Sequence, residues 1–421
     1  MAAGHRRTGR PGWGGRMTST TDIPESGRLS RPEFVGMIAM LFATVAFSID
    51  SMLPALPEIA AELSPADPNR AQLILTSFVL GMGIGTFVAG PLSDRFGRKR
   101  VIMGGAVLYC LAALCAWAAP TLELLLIARV VGGLGASAPR VVSLALVRDL
   151  YRGREMARIM SFAMLIFTLV PAVAPLMGTV IIDALGWRGI FLSFLAFSAV
   201  SILWLSIRQP ETLPPHARRP VSVAGLGSAF REVLSHRVIL TAIGVQTLVF
   251  GALFGTLSST QQVFDVTWGR GESFPLWFAV IALMAGTASL VNAALVMRLG
   301  MRFLVTVALG VQFLLSLGMW GMTANDLWPA ALAFPAYVLW TTGVFFMAGL
   351  TLGNLNAMAM EPVGHIAGMA ASVIGSIATV LAVALAAPLG LAFDGTPLPL
   401  MLGVASFAGV GFLLIRSLPR T

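Results

Sequence analysis

The stretch Gly90-Pro91-Leu92-Ser93-Asp94-Arg95-Phe96-Gly97-Arg98-Lys99-Arg100 separates two long apolar runs, at 71–92 and 101–119. Each run is close to the roughly 20 residues that match the hydrocarbon thickness of a bilayer at about 1.5 Å rise per residue. The turn holds four cations within six residues, and such a cluster is costly to move through lipid. The stretch therefore predicts two membrane-spanning helices joined by a cytoplasmic turn.

The composition places the whole chain among membrane proteins with many spans. Of its 421 residues, 57% are hydrophobic and 11% are charged, whereas a soluble domain carries about 25% charged residues. Two of the 28 Lys and Arg residues, Arg129 and Arg140, fall inside apolar runs, and Arg70, Arg188 and Arg270 fall in connections that we place outside. The other cations lie in predicted cytoplasmic parts. The net charge of +9 thus follows the positive-inside rule, and we expect no nucleic-acid partner.

Nothing in the sequence indicates an enzyme. Cys110 and Cys115 share one apolar run but lie on different helix faces, and the four histidines are scattered without ligand spacing. The sequence contains no nucleophile elbow, phosphate-binding loop or zinc motif. We therefore expect no catalytic residues, no cofactor and no metal.

Hydropathy predicts an all-α protein with twelve spans, an even number that places both termini in the cytoplasm. The longest polar connection, 208–237, is rich in proline and arginine and divides the chain into two six-helix halves, 34–207 and 238–415. Residues 1–33 are predicted to form a disordered cytoplasmic tail. The predicted spans are 34–53, 71–92, 101–119, 122–147, 159–182, 190–207, 238–263, 274–296, 303–322, 328–352, 366–391 and 398–415.

The charged turn resembles the G-x-L-a-D-R-x-G-R signature between the second and third helices of major facilitator superfamily transporters. The matching residues are Gly90, Leu92, Asp94, Arg95, Gly97, Arg98 and Lys99. The resemblance implies the major facilitator fold, with two pseudo-symmetric halves of six helices. It also implies that Asp94 and Arg98 hold the inner ends of the halves together in one conformation.

Asp50 is the first candidate for a functional side chain. It lies about 24 Å along a helix from Phe34, and an ionised carboxylate at such a depth costs roughly 2.5 to 3.5 kcal/mol on insertion scales. We expect it to face protein or a water-filled cavity and to have a partner, or alternatively to cap the outer end of the first helix. The segment from Asp50 to Pro57 resembles the D-x-x-L-P-A-L-P segment of bicyclomycin- and chloramphenicol-type drug:proton antiporters, in which the aspartate is implicated in coupling.

Two arginines in the fourth span form the second candidate. Arg129 and Arg140 lie eleven residues apart on one helix face, with Gly133 between them. That face has to line a cavity or a tight helix contact. The segment after Arg129 resembles the R-x-x-Q-G-x-G motif of the family, with Gly132 in place of glutamine. The alternatives are a structural ion pair for Arg129 and, for Arg140, a side chain that snorkels to the cytoplasmic surface.

The fifth span and the second half supply weaker candidates. Pro171, Pro175 and Gly178 resemble the Gly-Pro-x-x-Gly-Gly antiporter signature of helix five, with Ala174 in place of its first glycine. A proline kink tolerated for packing is the alternative. In the second half, Gln246 is a candidate for cavity lining, although an interhelical hydrogen bond is the simpler interpretation.

Together, these resemblances imply proton-coupled efflux of hydrophobic compounds, amphenicol-like or cationic, across the bacterial inner membrane. We expect the carrier to be a monomer. Asp50 and Arg129 would couple protons to the drug-like substrate. Two alternatives stay open at this point: a proton symporter that imports a small metabolite on the same fold, and a membrane receptor or assembly factor that transports nothing.

Overall fold

The computed structural model describes residues 29–218 and 223–418, so the predicted tail up to residue 28 lies outside the described residues. Within these ranges the chain forms helices and turns and no strand. The α-helices are α1 (Arg31–Asp50), α2 (Leu56–Leu63), α3 (Leu73–Phe96), α4 (Arg98–Trp117), α5 (Leu122–Leu150), α6 (Gly153–Leu185), α7 (Gly189–Arg208), α8 (Val223–Ser235), α9 (Arg237–Gln262), α10 (Phe274–Leu299), α11 (Met301–Ala324), α12 (Ala330–Met360), α13 (Ala367–Leu391) and α14 (Leu398–Arg416).

Eleven continuous helical segments of the described chain are long and apolar enough to cross a membrane. One of them, Ala330–Leu391, has 62 residues, which is about three times the length that a single crossing needs. The turn Glu361–Ile366, with a non-helical backbone at Val363, separates its two long helices α12 and α13. These account for two crossings, so the predicted number of twelve is confirmed for the described residues.

The structure corrects several predicted boundaries. Helix α1 begins at Arg31, because the Ser30 side chain accepts a hydrogen bond from the Glu33 backbone N–H and caps the first turn. Residues 31–33, predicted to belong to the tail, are therefore helical. The connection 208–237, predicted as a linker, contains the 13-residue helix α8. Glu232 of that helix lies 3.0 Å from His365 in the turn between α12 and α13.

Helices α3 and α5 pack backbone against backbone. A Cβ atom added at Gly81 would overlap the carbonyl of Val130, and one added at Gly133 would overlap the backbone of Phe78 and Met82. Glycine at both positions allows the two helices to approach this closely, as small residues do in membrane helix pairs. The contact fixes the position of α5, which carries Arg129 and Arg140, against α3.

Contacts between the two parts of the chain run along α3 with α13 and along α6 with α10. At the end of the bundle away from the charged turn, which the sequence predicts to face outside, a chain of amide hydrogen bonds crosses between them. We name it the outer closure (Asn69, Gln72, Ser259 and Gln262). Ser259 Oγ donates to Gln72 Oε1 at 2.9 Å, Gln72 donates to Gln262, and Gln262 Nε2 donates to Asn69 Oδ1 at 2.7 Å. Asn69 Nδ2 donates in turn to the carbonyl oxygens of Leu391 and Phe393, at 3.2 and 2.7 Å. These bonds therefore join the two parts of the chain at this end of the bundle.

Candidate functional site

Asp50 occupies a break in the first membrane segment. It is the last residue of α1, yet the chain continues helically through Leu53–Ala55 and α2 to Leu63, so Asp50 lies within the segment and not at its outer end. Its residue is 5% exposed. Among the described residues, none donates a hydrogen bond to its carboxylate and none forms an ion pair with it. The break thus holds a buried acid whose expected partner is not in place.

The motif of the fifth span, which lies on α6, packs directly onto this break. Gly178 of α6 is buried, and a Cβ atom there would overlap the carbonyl oxygen of Ser51, the residue after Asp50. Pro175 is buried as well, and Pro171 is partly exposed. The structure therefore brings together Gly178 and the backbone beside Asp50, two features that the sequence placed more than 120 residues apart.

Arg129 binds the backbone around the break and not the acid itself. Its Nη2 donates to the carbonyl oxygen of Ser48 at 3.0 Å, and its Nε donates to the carbonyl oxygen of Ile74 at 3.3 Å. Ser48 is among the last four residues of α1, whose carbonyls have no partner within the helix. The guanidinium thus satisfies a free carbonyl at the negative end of the α1 dipole. Its carbon lies 4.2 Å from the ring centroid of Phe78.

This arrangement answers the question that the sequence left open about Arg129. It is 3% exposed and has no carboxylate of a described residue within 4.0 Å, so it is not a structural ion pair. It caps the helix that ends in Asp50 and joins α1 to α3. Arg129 accordingly links the segment that carries Asp50 to α3.

Sequence reasoning missed two polar side chains beside Arg129. The hydroxyl groups of Tyr109 and Ser48 are hydrogen-bonded to each other, and Ser48 Oγ also donates to the Thr44 carbonyl at 2.8 Å. A cavity of about 10 Å³ lies between Tyr109, Arg129 and Gly132, which is about the space that one water molecule needs. It lies where the family motif has a glutamine side chain. Tyr109, one of three tyrosines in the chain, stands in an otherwise apolar span, and this was the available signal.

The other residues of the fourth span take different roles. Gly133 forms the contact with α3 described above, and it does not line the cavity beside Arg129. Arg140 is partly exposed, and its Nη1 lies 3.6 Å from Met82 Sδ. Because Met82 lies opposite Gly133, about two turns before Arg140 along α5, the side chain points away from the Leu150 end of the helix. The snorkelling alternative for Arg140 requires the opposite direction.

Gln246 takes the simpler of its two roles. It is 1% exposed, and its Nε2 donates to Asn356 Oδ1 at 3.1 Å, which joins α9 to α12. A second amide pair, Asn354 Nδ2 to Asn292 Oδ1 at 2.7 Å, joins α12 to α10. These four amide side chains of the second half therefore form interhelical hydrogen bonds.

The charged turn forms a network within the first part of the chain. Arg98 Nη1 lies 2.5 Å from Asp94 Oδ1, and Arg98 Nε lies 3.1 Å from Asp149 Oδ2 at the end of α5. Gly97 has a φ of +101° and ends α3. The Glu211 carboxylate, just beyond α7, accepts hydrogen bonds from the backbone N–H groups of Arg98 and Lys99 at 2.8 and 3.2 Å.

Two other candidate residues of that turn, Arg95 and Gly90, lie outside this network. The guanidinium carbon of Arg95, an exposed residue, lies 5.0 Å from the ring centroid of Phe96. A Cβ atom at Gly90 would lie 3.3 Å from Ser372 Oγ of α13, so the inner part of α3 runs close to the second half here. The predicted link through Asp94 and Arg98 is not what joins the halves in this state, because both bind partners in the first half.

A bundle of apolar membrane-spanning helices, with a buried acid at a helix break and a buried arginine capping that break, defines a polytopic membrane carrier. The chain belongs to the Major Facilitator Superfamily, whose family model matches residues 37–387.

Comparison with known proteins gives relatives over most of the chain. A bicyclomycin resistance protein homolog of Haemophilus influenzae is 30% identical over 354 residues, which cover 82% of this chain and 85% of the relative. A chloramphenicol resistance protein of Pseudomonas aeruginosa is 28% identical over 361 residues, covering 79% and 85%. The crystal structure of a D-xylose–proton symporter superposes with a TM-score of 0.72 at 15% identity, covering 92% of this chain and 98% of that one. This last likeness confirms the fold.

Proposed function

We propose that the chain exports hydrophobic, drug-like compounds in exchange for protons. It would act as a monomer in the bacterial inner membrane, with both termini in the cytoplasm. The observation that carries the proposal is the Asp50 carboxyl, buried at a break in the first segment without a partner among the described residues. Broken helices near the middle of the membrane are where carriers of this kind bind substrates and coupling ions.

The proposed mechanism is competition for one site. Asp50 takes up a proton when the site opens to the outside and gives it up to the cytoplasm when a drug molecule arrives. Proton and drug therefore exclude each other, and each cycle exchanges one for the other. Arg129 keeps the end of α1 in place while the charge on Asp50 changes.

Alternating access would come from rocking one half against the other. Pro171 and Pro175, which lack backbone N–H groups within α6, would supply points where that helix can bend. Breaking the outer closure would open the site to the outside, and a regrouping of Asp94 and Arg98 would join the inner ends in that second state. The names of the two relatives, for resistance to bicyclomycin and chloramphenicol, support export of such compounds over uptake of a metabolite.

The test is drug-induced proton movement in vesicles. Purified full-length protein is reconstituted with a pH-sensitive dye inside, and a gradient of chloramphenicol or bicyclomycin is then applied. Exchange predicts that inward drug movement drives protons out, so the interior becomes alkaline. Symport predicts acidification, so the sign separates the two mechanisms.

The decisive variant is Asp50→Asn, which keeps the size of the side chain and removes the titratable proton. We expect it to bind drug but to lose both the proton signal and the pH dependence of efflux. The matched control is Asp183→Asn, which alters an exposed carboxylate near the outer end of α6 and should leave both intact. Drug-induced proton movement that persists in Asp50→Asn would remove Asp50 from the mechanism.

A further inference from the structure

Arg140 stands out among the charged side chains within the membrane-spanning segments that the structure describes. Together with Asp50 and Arg129, it lies well away from the ends of its segment. Ten residues, or about 15 Å, separate it from the inner end of α5 at Leu150. Because its side chain also points away from that end, the charge lies well inside the apolar segment.

The two arginines of α5 differ in how their donors are used. Arg129 is 3% exposed and donates to two backbone carbonyls. Arg140 is partly exposed, and its contact is the Met82 thioether at 3.6 Å, a weak acceptor. Within residues 29–218 and 223–418, no carboxylate comes within 4.0 Å of Arg140. Most of its five N–H donors are therefore available to another group.

The exposed part of Arg140 has to meet water, because a guanidinium in lipid is among the most costly arrangements in a membrane. It shares its helix face with Arg129, and that face packs on α3 through Gly133. The face is thus turned into the bundle and away from lipid. A water-filled space within the bundle is also where a carrier of this fold receives its substrate.

The second half brings no acid to this region. Its carboxylates lie in connections or at the ends of helices: Asp265, Glu272, Asp326, Glu361 and Asp394. The polar groups within its spans include the amide pairs of Gln246 with Asn356 and of Asn354 with Asn292. The interior of the described bundle thus holds two guanidinium groups, Arg129 and Arg140, and one carboxyl, Asp50, and this excess of positive charge repels cations.

We infer that Arg140 determines the substrate class: its guanidinium binds the acceptor oxygens of neutral or anionic compounds, and the carrier discriminates against cations. The planar fork of an arginine suits carboxylate, nitro and carbonyl oxygens because it can donate two parallel hydrogen bonds. This inference rests on the proposed function, and it decides between the amphenicol-like and cationic compounds that the sequence left open.

The test compares three probes of different charge on the purified full-length protein: chloramphenicol succinate (anionic), chloramphenicol (neutral) and tetraphenylphosphonium (cationic). Equilibrium binding is measured for the wild type, Arg140→Gln, Arg140→Lys and the control Arg148→Gln. Arg148 is an exposed arginine in the last turn of α5. Thermal melting of each variant establishes that it is folded.

We expect the wild type to bind both oxygen-bearing probes more tightly than tetraphenylphosphonium. Arg140→Gln should weaken binding of the succinate ester at least tenfold, equivalent to about 1.4 kcal/mol, and should improve binding of the cation. Arg140→Lys keeps the charge but loses the planar fork, so its affinity for the succinate ester should lie between those of the wild type and Arg140→Gln. Arg148→Gln should match the wild type.

An unchanged ratio of succinate to cation binding in Arg140→Gln would overturn the inference. If that variant does not fold, Arg140→Lys and the wild type still decide it, because a wild type that binds the cation most tightly, or binds neither oxygen-bearing probe, overturns it as well. The outcomes that refute the proposed exchange differ from those that refute the role of Arg140. A wild type with the expected binding ratio that moves no protons would refute exchange, whereas proton exchange with tetraphenylphosphonium as the best substrate would refute only the role of Arg140.

Discussion

Replacing Asn69 by alanine should shift the conformational equilibrium of the carrier towards the outward-open state. The change removes three hydrogen bonds of the outer closure, two donated to Leu391 and Phe393 and one accepted from Gln262. At a net 0.5 to 1.5 kcal/mol for each bond, the closed state loses about 1.5 to 4.5 kcal/mol. A loss of about 3 kcal/mol changes the ratio of closed to open molecules by about 100-fold.

Distance measurement between spin labels can follow this shift. The labels are placed at Ala66, in the outer connection before α3, and at Leu276, near the outer start of α10, both of which are exposed. The free cysteines Cys110 and Cys115 are first replaced by alanine. We expect Asn69→Ala to raise the population at the longer distance from a minor to a major fraction, in the absence of any drug.

The control is Asn325→Ala, which alters another amide at the outer end. Asn325 is exposed and donates to the carbonyl of Gly321 in its own helix at 2.8 Å, so it joins nothing across the two halves. Its distance distribution should match that of the parent. A distribution that does not move in Asn69→Ala, or that moves equally in both variants, would refute the reasoning that the outer closure stabilises this state.

Two further predictions concern the folded structure. Gly133→Val should cost about 1 to 3 kcal/mol or prevent folding, because its side chain would overlap the α3 backbone; Gly104→Ala, with no atom within 4 Å of the added carbon, should keep the melting temperature of the parent. Glu211→Ala removes the acceptor for two N–H groups in the first turn of α4, a cap worth about 0.5 to 2 kcal/mol. Trypsin should then cut the connection 208–237 faster, and an unchanged rate would show that this cap does not hold the connection in place.

The number of spans could be predicted from the sequence because a lipid-facing helix has to be apolar over its whole length, and this leaves a clear signal in each run. The position at which the first span ends could not be predicted in this way. Pro54 and Pro57 indicated a stop near residue 53, but both lie at the first positions of new helical turns, Leu53–Ala55 and α2, where proline is tolerated. The segment therefore continues to Leu63.

The candidate site was predicted in its members but not in its contacts. Burial of Asp50 and Arg129 followed from their position in apolar runs, whereas their partners depend on side-chain direction and on where a neighbouring helix ends. The expectation of a guanidinium close to the acid overlooked the free carbonyl of Ser48, which exists only because α1 breaks at Asp50. Tyr109 was missed for a related reason, since its partner Ser48 lies 61 residues away in the sequence.

The polar contacts of the first segment and those of the outer closure should act at different steps of the cycle. Arg129 joins Ser48 of α1 to Ile74 of α3, and both helices belong to the first half. Under the proposed mechanism these bonds would therefore persist while the halves rock as rigid bodies. The bonds of Asn69 cross to the second half and have to break when the outer end opens. Losing the guanidinium should therefore disturb Asp50 in every state, whereas losing the Asn69 amide should change only which state is populated.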